Sequence, residues 1–141
     1  MRRAYEIKLN NGKNEITLGL RINLKAQLEL KRKYKEDAIA SILSAVSDAE
    51  KMAYIFTLAL SFDGNENPIT DGVEFYDLLV DNGYAGQEQF MELLTSIAFF
   101  SGLMSEKRKA QIDAYIRGTV DEAFEEEFGE DEKNMAQPDE K

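Results

Sequence analysis

Tyr5-Glu6-Ile7-Lys8-Leu9-Asn10-Asn11-Gly12-Lys13-Asn14-Glu15-Ile16-Thr17-Leu18-Gly19-Leu20 is the stretch whose reading decides the fold class. Tyr5, Ile7 and Leu9 alternate with Glu6, Lys8 and Asn10; after Asn10-Asn11-Gly12, Ile16, Leu18 and Leu20 alternate with Thr17, Gly19 and Arg21. A period of two belongs to a half-buried strand, and Asn and Gly tolerate the positive φ of a tight turn. The spacing predicts a β-hairpin over 5–21, reached directly from Met-Arg-Arg without the apolar core of a signal peptide. A lone hairpin is marginal in water, so its apolar face requires helices to cover it.

From Asn23 the period becomes helical. Asn23 is a suitable N-cap for a helix to about Lys35, with Leu24 and Leu28 turned inward and Lys25, Arg32 and Lys35 outward. Ile39, Ile42, Leu43 and Val46 mark a second helix over 38–46. Ser47 with Glu50 has the form of a capping box, opening a helix to about Phe62 that is apolar on most sides and suits the centre of a bundle. Asp71 with Glu74 starts a short helix stopped by Gly83, residues 87–101 form another, and Ser105 caps the last. The expected fold is α+β and mostly helical: one domain over 1–129, with the hairpin packed on about six helices over 23–128, and a flexible acidic tail over 130–141.

The 141 residues suffice for one core, burying roughly 70% of the unfolded surface. The longest apolar-rich stretch, 52–62, is about half of a bilayer span, so no membrane role is expected. With no Cys and no His there is no thiolate, imidazole base or soft-metal ligand. The net charge of −10 is uneven: 1–35 carries +7, 36–118 carries −9 and 119–141 carries −8. An overall negative field disfavours nucleic acid, and the polarity between the two ends permits self-association.

Three constellations invite chemistry. Asp63, Asn65, Asn67, Ile69, Asp71 and Glu74 fall at positions 1, 3, 5, 7, 9 and 12 of a calcium loop, but Pro68 replaces the glycine of the sharp turn and Thr70 an apolar residue. Asp71 and Glu74 moreover serve as cap and N3, so neither metal nor cofactor is expected. Asp77/Asp81 and Glu88/Glu92 each share a helix face, which reads as solvated surface. Lys31-Arg32-Lys33-Tyr34-Lys35 is a basic cluster that could hold phosphate, but on a chain of net charge −10 it reads as a solvated face or as a site for an acidic segment, this chain's own tail or a neighbouring subunit's. No catalytic set emerges, so no enzyme is expected. The candidate partner-binding residues lie on the last helix, where Tyr115, Ile116, Val120, Phe124 and Phe128 follow the helical period among Asp121, Glu122, Glu125, Glu126 and Glu127.

The strand pair over 5–20, the helix Leu24-Lys25-Ala26-Gln27-Leu28-Glu29-Leu30, the apolar helix from Ala53 to Phe62 and the segment Val73-Glu74-Phe75-Tyr76-Asp77-Leu78-Leu79-Val80-Asp81-Asn82-Gly83-Tyr84 together resemble the tail assembly chaperones of long-tailed phages and prophages of Gram-positive bacteria. The resemblance covers roughly 5–104 and carries over no functional residue. It implies a non-enzymatic protein in the host cytoplasm that binds the helical, aggregation-prone tape measure protein and helps recruit tail tube subunits. An acidic protein with an apolar docking surface suits such work, masking client stripes while like charges keep the complex dispersed. The alternative is a small acidic inhibitor or DNA mimic using 121–132 against a basic cleft; a calcium-regulated module ranks third.

Overall fold

The computed structural model describes residues 4–63 and 66–125. The expected hairpin forms as strand β1 (Tyr5–Asn10) paired antiparallel with β2 (Glu15–Leu20), with Ile7 opposite Leu18 and Leu9 opposite Ile16. Its turn is held by asparagine side chains: Asn10 Oδ1 accepts from Gly12 N at 2.7 Å, and Asn11 Oδ1 accepts from Lys13 N and Asn14 N. Gly12 has φ +95°, a conformation that L side chains rarely adopt.

Among the described residues six α-helices and one 3-10 turn follow: α1 (Leu24–Tyr34), α2 (Ala38–Ser44), the 3-10 turn (Ala45–Ser47), α3 (Ala49–Leu60), α4 (Gly72–Asp81), α5 (Gly86–Phe100) and α6 (Glu106–Glu125). Side chains of Asn23, Asp37, Asp48 and Asp71 accept from first-turn amides of α1 to α4, and Ser105 Oγ accepts from Arg108 N in α6. The cap of α3 corrects the sequence reading. The chain winds through the 3-10 turn for one residue more than expected, so Asp48 replaces Ser47 as cap, and Ser47 Oγ donates to Ser44 O. α1 ends at Lys35, which takes the left-handed conformation at φ +62° and donates its N–H to Lys31 O.

Contacts divide the chain into two units, 1–109 and 110–141. In the first, α3 is the hub, packing against α1, α2, α4 and β2. Phe56 of α3 meets Phe75 of α4 edge to face at 4.8 Å, both fully buried. Gly72 lets α4 start against α3: a Cβ there would lie 1.8 Å from Ala53 O. The apolar face of the hairpin, Ile7, Leu9, Leu18 and Leu20, is buried in the same core.

The inward face of α1 also differs from expectation. Ile22, Ala26 and Leu30 are buried and Tyr34 partly so, whereas Leu24 and Leu28 are 67% and 51% exposed. The strand exit is the cause. Ile22 N donates to Ser101 Oγ and Arg21 N to Ala59 O, which fixes Ile22 in the core and selects the stripe four residues apart that continues from it.

Both outer edges of the hairpin are clamped by an amide. Asn67 Oδ1 accepts from Gly19 N at 2.9 Å while its Nδ2 donates to Gly19 O and Leu60 O. Asn82 does the same for β1, accepting from Asn10 N and donating to Asn10 O and Leu78 O. Covering an edge in this way satisfies backbone groups and removes a template for unwanted strand pairing.

Candidate protein-binding surface

α6 carries the residues singled out for partner binding. Ser105 opens it and the chain remains helical to Glu125. Tyr115 exposes 74% of its surface and Ile116 is buried, one residue further round the helix. Val120 and Phe124 belong to the same helix, but their side chains, like Phe128 and the tail 130–141, lie outside the described residues. Of the acidic run 121–132 invoked for a DNA mimic, 126–132 also lies outside them. An exposed aromatic ring on a charged helix offers a partner apolar area at low entropic cost.

The loop read against a calcium template has other work for its polar groups. The Asn67 amide clamps Gly19 and Leu60, Asp71 caps α4, and Gly72 N donates to Thr57 Oγ1 at 2.8 Å. Gly64 and Asn65 lie outside the described residues, and among the described ones no group of three or more Asp or Glu is placed to hold a metal ion.

One polar cluster escaped sequence reasoning. Lys51 in α3 is only 8% exposed; its Nζ donates to Glu36 Oε1 at 2.5 Å and to Ser44 Oγ at 2.7 Å, and lies 4.6 Å from the centre of the Tyr34 ring. Buried Ser41 also donates to Glu36 Oε1. The hydrogen bond from Lys51 holds the Glu36 carboxyl below its ordinary pKa of 4.5. Burial, reinforced by Asp48, raises the pKa of Tyr34, whose buried hydroxyl has no hydrogen-bond partner among the described residues. A serine beside a lysine suggests a nucleophile and its base, but here the hydroxyl of Ser44 receives a hydrogen bond from the ammonium and donates to Ser41 O. Those contacts tie the α1–α2 turn to α3, and they are a structural clasp. The only forewarning in the sequence was a charge inside an otherwise apolar helix.

Outside α6, exposed large apolar residues occur on α1, at Leu24 and Leu28, and on α4, at Val73 and Val80. No family model, curated protein or solved structure matches the sequence.

Proposed function

We propose that the chain is a non-enzymatic phage tail assembly chaperone, acting in the host cytoplasm, that binds the tape measure protein and recruits tail tube subunits. The supporting observation is Tyr115, exposed on the long helix α6, in a sequence that goes on to Val120, Phe124 and Phe128 among Asp121, Glu122, Glu125, Glu126 and Glu127. A helical client presents apolar stripes, and exposed apolar side chains on a chain of net charge −10 cover such a stripe while leaving the complex negatively charged and dispersed. The polar cluster around Lys51 fits the same reading, because its groups hold the fold together instead of facing a substrate.

Co-expression with the tape measure protein of the same phage genome tests the proposal. Soluble tape measure protein rises and the two co-purify; absence of both effects overturns it. Tyr115→Asp with Phe124→Asp reduces recovery of the complex while the thermal midpoint of the chaperone stays nearly unchanged. A large fall in that midpoint would instead assign these side chains to the protein's own core.

A further inference from the structure

The hairpin turn, the loop before α4 and α4 itself border a cleft of about 510 Å³, which Ile16, Ile69 and Leu78 line with apolar surface. On the α4 side it carries Glu74, Asp77 and Asp81, and Lys13 is the one cation among its described lining residues. The α4 sequence itself contains no Lys or Arg. At 100° per residue the three acidic positions fall within an arc of about 60° and follow one another over about 10 Å of helix axis. Exposed Val73 and Val80 border that row. All three acids are exposed, and among the described residues none has a hydrogen bond or an ion pair. The row is the wrong shape for a single ion: among the described residues no group of three or more acids is placed to hold a metal. It suits cations strung along a chain, and the overall charge of −10 attracts such a partner from a distance. The apolar lining sets a second requirement, that the partner also offer an aliphatic side chain.

We infer that this cleft binds a basic amphipathic helix of a partner protein, which seats an aliphatic side chain on Ile16, Ile69 and Leu78 and sets lysines or arginines against the acidic row. An incoming helix repeats its face at the same interval as α4, so cations on that face meet Glu74, Asp77 and Asp81 in turn. The aliphatic stems of those cations cover Val73 and Val80 while their heads reach the carboxylates. Because the carboxylates are exposed, they select the sign and orientation of the partner and speed its arrival, whereas the seated apolar side chain holds the complex. Nucleic acid, with its anionic backbone, is repelled by the same row. One helix on one cleft covers an area at the low end for specific interfaces, which makes the association weak and reversible. The inference goes beyond the chaperone reading and does not rest on it, since neither α6 nor a tail protein enters it.

Fluorescence anisotropy of a labelled synthetic peptide, an amphipathic helix of leucine, lysine and alanine, titrated with the full chain tests the inference. The peptide binds with a Kd of about 10–100 μM, and a peptide of the same composition in scrambled order binds at least about tenfold more weakly. Asp77→Lys/Asp81→Lys weakens binding of the ordered peptide at least about tenfold. Glu88→Lys/Glu92→Lys, an equal change of charge at exposed positions of α5, leaves it within about twofold. A cooperative circular dichroism melt in each variant controls for folding. Replacing the central leucine of the peptide by serine reads the apolar seat with the protein unaltered, and lowers affinity at least about fivefold. No binding of the ordered peptide overturns the inference. Equal affinity for ordered and scrambled peptides, or equal losses in the α4 and α5 variants, also overturns it and leaves only attraction by net charge. So does binding of spermidine but not of the peptide, which would assign the cleft to a free polyamine. A wild-type sedimentation coefficient that rises with concentration and falls back on adding the peptide would likewise overturn it, giving the cleft to a second copy.

Discussion

α1 and α3 are nearly equal in length, 11 and 12 residues, yet they treat their side chains in opposite ways. α3 buries a lysine, while α1 exposes two leucines. The difference lies in their neighbours: α3 is packed by three helices and a strand, whereas α1 uses one stripe and leaves the rest to solvent. Position in the fold thus overrides residue type, and each exception needs its own account. Lys51 is tolerated because Glu36 and Ser44 accept hydrogen bonds from its ammonium and its stem adds to the packing. Leu24 and Leu28 contribute little to the core, and their apolar surface faces solvent.

The contrast can be broken most strongly at the hub. Phe56→Ala removes a fully buried ring from α3 and costs about 4 kcal/mol in urea unfolding. Gly72→Ala drives a methyl group into the Ala53 carbonyl and costs about 3 kcal/mol, with α3 and α4 forced apart. Stability within about 0.5 kcal/mol of wild type in either variant would remove α3 from the centre of the fold.

Glu36→Gln sharpens the comparison through pH. The folded carboxyl lies below its ordinary pKa of 4.5, so its contribution is complete above that value and is lost as pH falls through the lowered pKa. Urea midpoints of wild type and variant therefore differ at pH 7 and converge as the solution is acidified below the ordinary carboxylate range. A gap that persists unchanged at pH 2.5, about two units below that range, would mean that the pair acts through shape rather than charge.

Asn67→Ala unclamps β2 from the end of α3, with an expected loss of about 1–2 kcal/mol and faster hydrogen exchange at the Gly19 amide. The smallest effect belongs to α1. Leu24→Gln with Leu28→Gln changes stability by no more than about 0.5 kcal/mol. A larger loss would show that the two leucines serve the core after all.

How far the fold was legible depends on the range of each interaction. The hairpin was readable because alternation and the Asn-Gly turn are local, and Asn23, Asp71 and Ser105 cap where their residue types and positions suggested. The face of α1 was misread because two stripes competed: Leu24 and Leu28 have the larger side chains, but Ile22, Ala26 and Leu30 have the strand exit behind them. Nothing local announces that exit, since Ile22 is held by Ser101, 79 residues away. The same holds for Asn67 and Asn82, whose partners lie 48 and 72 residues off, and for Glu36, which finds Lys51 only after the α1–α2 turn has formed. Tyr115 and Ile116 were singled out together, yet the structure exposes one and buries the other.

Lys35 shows where this chain gives up stability. Glycine is the usual residue for a left-handed helix end, because a side chain there costs about 1 kcal/mol of strain. A lysine in that position keeps a cation at the end of α1. Stability and surface charge therefore compete at this residue, and an engineer who substitutes Lys35→Gly to raise the melting temperature would exchange a surface charge for a firmer fold.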